Sequence, residues 1–114
     1  MLLISRTESK LNNLTAQLRS DHPNIEVQYI AVDLSKDLPV SETFKDIEEK
    51  LSVIEPIGIL VNNVAVNYSY PQYYTKSSTV EDESIVRVNI TTSNRMTKVV
   101  LPKMLHQLVS TIAL

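Results

Sequence analysis

The sequence predicts an α/β fold of about three parallel strands with flanking helices. Three short apolar runs alternate with two amphipathic segments, and the links between them are short. Such an alternation favours a parallel sheet with right-handed crossovers. The third run, residues 57–61, is almost entirely aliphatic, which is typical of a parallel strand buried on both faces.

Composition limits the function before any motif is considered. A chain of 114 residues with 43% hydrophobic residues has the size of one small domain. It has no cysteine, and its two histidines are far apart in sequence, so metal chemistry is set aside. The net charge of -2, with scattered Lys and Arg, argues against a nucleic-acid partner. No apolar run approaches the roughly 18 residues that a transmembrane helix needs.

The first half of the chain supplies most of the strand and helix pattern. Residues 1–4 are apolar, and Thr7 is placed as the N-cap of a helix whose leucines recur every three or four residues. A second strand, residues 25–32, ends at Asp33. A second amphipathic helix follows, with apolar residues at Val40, Phe44, Ile47 and Leu51.

Two asparagines follow the third strand. Asn62 and Asn63 lie where a ligand of an open parallel sheet would bind, beyond the carboxyl end of the strand. An Asn-rich turn is an equally good interpretation, because Asn tolerates left-handed backbone and caps helices. The loop 66–79 is then rich in tyrosine and unusually long. Its tyrosines either pack the loop down, which we favour, or stack on a flat ligand.

A long helix is predicted from residue 80 to about residue 107. Pro102 lies within it and should kink or end the helix near Val99. Asn89 lies in the helix interior, where Asn is unfavourable because its side chain competes for backbone hydrogen bonds. From its position in the predicted helix alone, Asn89 is either a surface residue or a site residue.

Together these residues resemble the short-chain dehydrogenase/reductase family. Within it they look most like the branch of 17β-hydroxysteroid dehydrogenases and very-long-chain 3-oxoacyl-CoA reductases, and the tyrosine-rich loop is similar to that of the inactive hydroxysteroid dehydrogenase-like protein. The resemblance runs from Leu2 to about Leu105. It rests on the motifs LISRT at 3–7, AVD at 31–33, GILVNNV at 58–64, VNI at 88–90, MT at 96–97 and VLP at 100–102.

The resemblance implies part of an NADP-binding Rossmann (doubly wound) domain over residues 1–105, followed by an atypical tail at 106–114. It places Arg6 on the 2′-phosphate of the cofactor, since a guanidinium offers a fork of donors to phosphate oxygens, and it therefore favours NADP over NAD. Asp33 would accept a hydrogen bond from the adenine amino group. Asn89 would hold the water that orients the catalytic lysine.

The asparagine motif has further implied roles. Asn62 and Asn63 belong to the family's Asn-Asn-x-Gly pattern, and Asn63 would tie the central strands together. The backbone of Val64 and Ala65 would pass the adenosine ribose. Ala65 replaces the family's glycine, which adds a methyl group where the backbone approaches the cofactor.

The complete relatives imply hydride transfer between NADPH and a 3-oxoacyl-CoA or keto-steroid carbonyl. The implied partners are a lipid or steroid substrate and, in the complete relative, further copies in a homo-oligomer. The implied location is the endoplasmic reticulum, with the mitochondrion as the alternative.

Two departures from the family pattern affect the chemistry. Gly58 is the single glycine, so the chain has no glycine-rich phosphate turn, and none of its five tyrosines has a lysine four residues further on. We therefore expect a fragment that is inactive alone, or alternatively a non-catalytic dehydrogenase-like binding or scaffold protein. An unrelated flavodoxin-like module is disfavoured because it needs its own phosphate loop.

The implied strand order of the complete family, 3-2-1-4-5-6-7, leaves residues 57–61 without their usual neighbours. We expect one of two outcomes. Either this strand pairs in parallel with residues 2–4 in a three-stranded sheet, or the chain packs loosely and aggregates. Both outcomes predict low stability.

Overall fold

The computed structural model describes residues 1–36 and 39–112. The elements in chain order are β1 (Leu2–Ser5), α1 (Glu8–Asp21), β2 (Gln28–Ala31), α2 (Val40–Ser52), α3 (Thr79–Val86) and α4 (Thr92–Ile112). A 3-10 turn (Tyr74–Lys76) precedes α3, and a π-helical segment (Arg87–Thr91) joins α3 to α4. The chain divides into two units, Met1–Ile47 and Glu48–Leu114.

The first unit is built on a two-stranded parallel sheet. β1 and β2 pair with Leu2 opposite Gln28 and with Ser5 opposite Ala31. Helix α1 forms the crossover between the strands and packs against both of them. The buried apolar side chains of this unit are Leu11, Val27, Leu34, Phe44 and Ile47. The predicted α/β class and parallel sheet are therefore confirmed.

The boundaries of α1 and β2 follow local hydrogen bonds. Thr7 is the N-cap of α1, as predicted, but its side chain forms no capping hydrogen bond. Strand β2 begins three residues later than predicted. The residue before the strand, Val27, bonds to helix α1: Arg19 Nη2 donates to the Val27 carbonyl at 2.5 Å.

The second unit is mainly helical. Its buried side chains include Leu51, Val88, Thr92 and Val100. The long predicted helix is present but is divided by the π-helical segment. Helix α4 continues through Pro102, so the helix does not end near Val99; the alternative, a kink near Val99, stays a prediction. A proline removes one backbone hydrogen bond, and the turns on either side keep theirs.

The predicted third strand does not form. Residues 54–68 have no regular secondary structure, and β1 and β2 are the only strands in the described part of the chain. Ile59 is 82% exposed and Val61 is 74% exposed, so this run is not a buried strand. The predicted pairing with residues 2–4 is therefore wrong. An apolar run becomes a strand only where another strand supplies hydrogen bonds, which the sequence pattern does not report.

Candidate functional site

Arg6 and Asp33 lie at the same edge of the sheet. Arg6 follows β1 directly, and Asp33 comes two residues after β2. Because the strands are parallel and Ser5 is opposite Ala31, both residues leave the sheet at its carboxyl edge. The N–H of Val32 donates to the Ser5 carbonyl at 2.9 Å, which extends the pairing up to Asp33. The structure thus brings together the two predicted cofactor residues of the first unit.

The Asp33 carboxylate is held by the residue two positions further on. Ser35 donates to Asp33 Oδ1 from its backbone N–H at 3.0 Å and from its hydroxyl at 2.6 Å. The Ser35 hydroxyl lowers the pKa of Asp33 most, and the positive charge of Arg6 lowers it further. The role of Ser35 was not predicted from the sequence, although Asp-x-Ser is a recognised turn pattern.

Asn89 forms a two-point contact with a single residue of the irregular segment. Its Oδ1 accepts from the Val66 N–H at 2.8 Å, and its Nδ2 donates to the Val66 carbonyl at 2.9 Å. The amide therefore satisfies both backbone groups of Val66. This contact explains an asparagine inside a helix, which the sequence marked as unfavourable.

The π-helical segment places Asn89 between α3 and α4. The Arg87 carbonyl accepts from the N–H of Thr92, five residues on, and also from the Thr92 hydroxyl at 3.2 Å. Thr92 is buried, so both bonds lie inside the second unit. Single π turns within helices often mark functional sites. Neither this turn nor the role of Thr92 was predicted from the sequence.

The asparagine motif is fixed at both of its ends by helical side chains. Asn62 Nδ2 donates to Thr97 Oγ1 at 3.2 Å, and Thr97 in turn donates to the Ser93 carbonyl at 2.8 Å. Asn89 holds Val66 at the other end. Between these anchors the predicted cofactor residues Asn63, Val64 and Ala65 are exposed. The motif is therefore held at Asn62 and Val66 and exposed between them.

A third hydrogen-bonded group fixes the tyrosine-rich loop. The Tyr68 hydroxyl donates to Asp82 Oδ1, and the Ser77 hydroxyl donates to Asp82 Oδ2 at 3.1 Å. The bond to Asp82 raises the pKa of Tyr68. The contacts among Tyr68, Ser77 and Asp82 were not predicted from the sequence, because these residues are separated along the chain and match no motif.

The other tyrosines of the loop do not pack down. Tyr70, Tyr73 and Tyr74 are all highly exposed, whereas Tyr68 is half-buried. The preference for packing is therefore correct for Tyr68 and wrong for these three residues. The described residues contain no group of His, Asp and Glu arranged to bind a metal ion. Nor does any of their helices have the length and apolarity to span a membrane.

Comparison with known proteins identifies the family. The family model described as short chain dehydrogenase matches residues 1–113. The chain belongs to the short-chain dehydrogenase family. Its 113 matched residues include both units, so the membership does not depend on one motif.

Curated members of the family are similar over nearly the whole of this chain. Very-long-chain 3-oxoacyl-CoA reductase-A of Danio rerio is 40% identical over 106 residues, which cover 91% of this chain and 31% of that protein. Inactive hydroxysteroid dehydrogenase-like protein 1 of Homo sapiens is 38% identical over 111 residues, which cover 94% of this chain and 31% of that protein. The chain spans about a third of the length of these relatives.

Solved structures of the family share the fold. The short-chain dehydrogenase of Sphingobium yanoikuyae, solved in complex with NADPH, superposes with a TM-score of 0.78 at 24% identity. The match covers 93% of this chain and 39% of that one. The Rossmann-type fold class predicted from the sequence is thus confirmed.

Proposed function

We propose that this chain forms part of the NADP-binding region of a short-chain oxidoreductase that acts on a 3-oxoacyl-CoA or keto-steroid carbonyl. The observation that carries the proposal is the position of Arg6, exposed at the carboxyl edge of the sheet beside Asp33. A guanidinium at this edge is matched in charge and geometry to the 2′-phosphate that distinguishes NADP from NAD.

The residues at this edge fit the adenosine end of NADP. Arg6 supplies donors for phosphate oxygens, and the Asp33 carboxylate supplies an acceptor for the adenine amino group. In the second unit, taken by itself, Asn89 fixes the backbone at Val66, next to Val64 and Ala65. NADPH would supply the hydride when bound.

The substrate class follows from the similar proteins. One curated relative is named a very-long-chain 3-oxoacyl-CoA reductase and another a hydroxysteroid dehydrogenase-like protein. Both names indicate a carbonyl or hydroxyl group on an apolar lipid skeleton. We therefore propose a lipid or steroid substrate for the oxidoreductase to which these residues contribute.

A second candidate function is a non-catalytic binding or scaffold protein. The observation that favours it is that none of the five tyrosines has a lysine four residues further on. A tyrosine that donates a proton to a carbonyl needs its pKa lowered toward neutrality, which is the role of that lysine. A relative that is 38% identical to this chain has a name that begins with "inactive".

Titration of the purified 114-residue chain with NADP and NAD tests the cofactor proposal. We expect a dissociation constant for NADP weaker than about 1 mM, because no glycine turn cradles the pyrophosphate, and a preference over NAD that Arg6→Ala abolishes. Lys45→Ala, which removes one exposed positive charge from α2, is the matched control and should keep the preference. Equal binding of NADP and NAD by the unmodified chain would refute the proposal.

A turnover assay tests the expected inactivity, and the preference for NADP over NAD separates the two candidate functions. With NADPH and a 3-oxoacyl-CoA, we expect no substrate-dependent oxidation by this chain, since no Tyr-x-x-x-Lys pair is present in its sequence. Such a result together with an NADP preference supports the oxidoreductase region. Absence of turnover together with equal binding of NADP and NAD supports the scaffold.

A further inference from the structure

We propose that Ser35 is a positioning residue that makes the nucleotide site of the first unit selective for an adenine base. It does so by fixing the Asp33 carboxylate as the acceptor for the 6-amino group of that base. The inference rests on the proposed function and deepens it, because it assigns base selectivity to a residue for which we place no contact with the nucleotide. It begins from the geometry of one short turn, residues 33–35, which comes shortly after β2.

The two donors of Ser35 converge on one oxygen of Asp33. The backbone N–H donates to Oδ1 at 3.0 Å, and the hydroxyl donates to the same oxygen at 2.6 Å. The torsion about the Cβ–Cγ bond of an unrestrained aspartate is broad. Two donors on a single oxygen narrow this torsion and so set the direction of the whole carboxylate. The hydroxyl is also the largest cause of the lowered pKa of Asp33, ahead of the charge of Arg6.

The core of the first unit holds this turn in place. Leu34 lies between the two residues and is buried, with 8% of its surface exposed. On the strand side, the Val32 N–H donates to the Ser5 carbonyl at 2.9 Å. Asp33 and Ser35 are both half-buried, so the carboxylate lies at the border between the core and solvent. A group that is fixed before its ligand arrives loses less conformational entropy on binding, and it discriminates better between ligands.

The selectivity follows from the chemistry of the 6-position of a purine. Adenine carries an amino group there, which donates hydrogen bonds, whereas hypoxanthine carries a carbonyl oxygen, which only accepts. An ionised carboxylate also only accepts. A fixed Asp33 carboxylate therefore gains a charge-assisted hydrogen bond from adenine and meets the carbonyl of hypoxanthine with like partial charge. A carboxylate that rotates freely can turn away from that carbonyl, so removal of the Ser35 hydroxyl should reduce the discrimination.

Binding of NADP and of its hypoxanthine analogue tests the inference. The two compounds share the 2′-phosphate that we assign to Arg6, so they differ only at the base. In NMR titrations of the 114-residue chain at millimolar ligand, we expect NADP to bind about tenfold more tightly, as one hydrogen bond to a charged group supplies. Ser35→Ala should reduce this ratio to about threefold or less, because only the backbone donor to Asp33 remains.

Two further variants show how Ser35 acts. Ser35→Thr keeps the hydroxyl and should keep the full preference for adenine. Ser20→Ala removes an exposed hydroxyl from α1 of the same unit and is the matched control, which should also keep it. A preference that is unchanged in Ser35→Ala would overturn the inference. So would equal losses in Ser35→Ala and Ser35→Thr, because they would show that the residue acts only through packing of the turn.

The outcome for the proposed function is read separately. If NADP is preferred over NAD but the Ser35 variants do not change the preference for adenine, the proposed function stands and this inference fails. Equal binding of NADP and the hypoxanthine analogue by the unmodified chain would overturn the inference together with the role of Asp33, but not that of Arg6. Absence of any response to NADP would overturn the proposed function and, with it, the role of Ser35.

Discussion

The side-chain amide of Asn89 pairs with both backbone groups of Val66, at 2.8 Å to the N–H and 2.9 Å to the carbonyl. The two residues are 23 positions apart, so the contact attaches the irregular segment to the π-helical segment within the second unit. Asparagine is the residue whose donor and acceptor match a peptide group in this way.

Replacement of Asn89 by alanine should release this attachment. Each hydrogen bond contributes about 0.5–1.5 kcal/mol, so we expect Asn89→Ala to lower the free energy of unfolding by about 1–2 kcal/mol. Hydrogen exchange at the Val66 amide should accelerate. Asn94→Ala is the control, since Asn94 is exposed on α4 without a side-chain bond to another described residue. Equal effects of the two variants would contradict the role of Asn89.

The bond between Tyr68 and Asp82 predicts a pH dependence. The pKa of Tyr68 lies above 10.0 in the folded chain because its hydroxyl donates to Asp82. The bond therefore contributes stability below pH 10, and this contribution is lost as the pH rises through the raised value. In Asp82→Asn, the pKa of Tyr68 should fall toward 10.0, as measured by NMR of ring-labelled tyrosine. An unchanged pKa would show that Asp82 is not the cause.

Asp33 should show the opposite dependence. Its pKa lies below 3.8, first because the Ser35 hydroxyl donates to it and further because of Arg6. The bonds to Asp33 contribute stability above about pH 3.9, and the contribution is lost as the pH falls through the lowered value. We expect Ser35→Ala to raise the pKa of Asp33 more than Arg6→Ala does. A carboxyl-carbon NMR titration measures both, and the reverse order would contradict this assignment.

An ion pair in the second unit should contribute little. Arg95 donates from both Nε and Nη2 to Glu48 Oε1, with the Nε bond at 2.8 Å, and both side chains are about one-third exposed. Exposed pairs contribute about 0–1 kcal/mol, and salt screens them. Glu48→Gln should therefore cost less than about 1 kcal/mol and lose its effect in high salt. Glu49→Gln, at an exposed neighbouring position, should have no effect at any salt concentration.

The sequence predicted the first unit better than the second for a physical reason. Leu11 and Phe44 lie at helical spacings, and β1 and β2 pair with each other across a single helix, so local pattern and packing agree. The run at residues 57–61 carries an equally clear strand pattern but forms no strand. Periodicity reports where apolar side chains lie and not whether a neighbouring strand is present to pair with.

The sequence predicted which residues belong to the candidate site, but it did not predict the contacts that those residues make. Arg6 and Asp33 follow strands, and the edge of a parallel sheet brings them together without further information. Asn89 was marked as unusual, yet its partner Val66 has no polar side chain and gave no signal. The bond from Tyr68 to Asp82 depends on the path of the loop, which no local pattern encodes.

Binding of two adenosine nucleotides tests the central claim most directly. Adenosine 2′,5′-bisphosphate and 5′-AMP differ only in the 2′-phosphate that we assign to Arg6. In an NMR titration at millimolar ligand, we predict larger shifts for the bisphosphate at the amides of Arg6, Thr7 and Asp33, and loss of this difference in Arg6→Ala but not in Lys45→Ala. Equal responses to the two nucleotides, or a preference that persists in Arg6→Ala, would contradict the account.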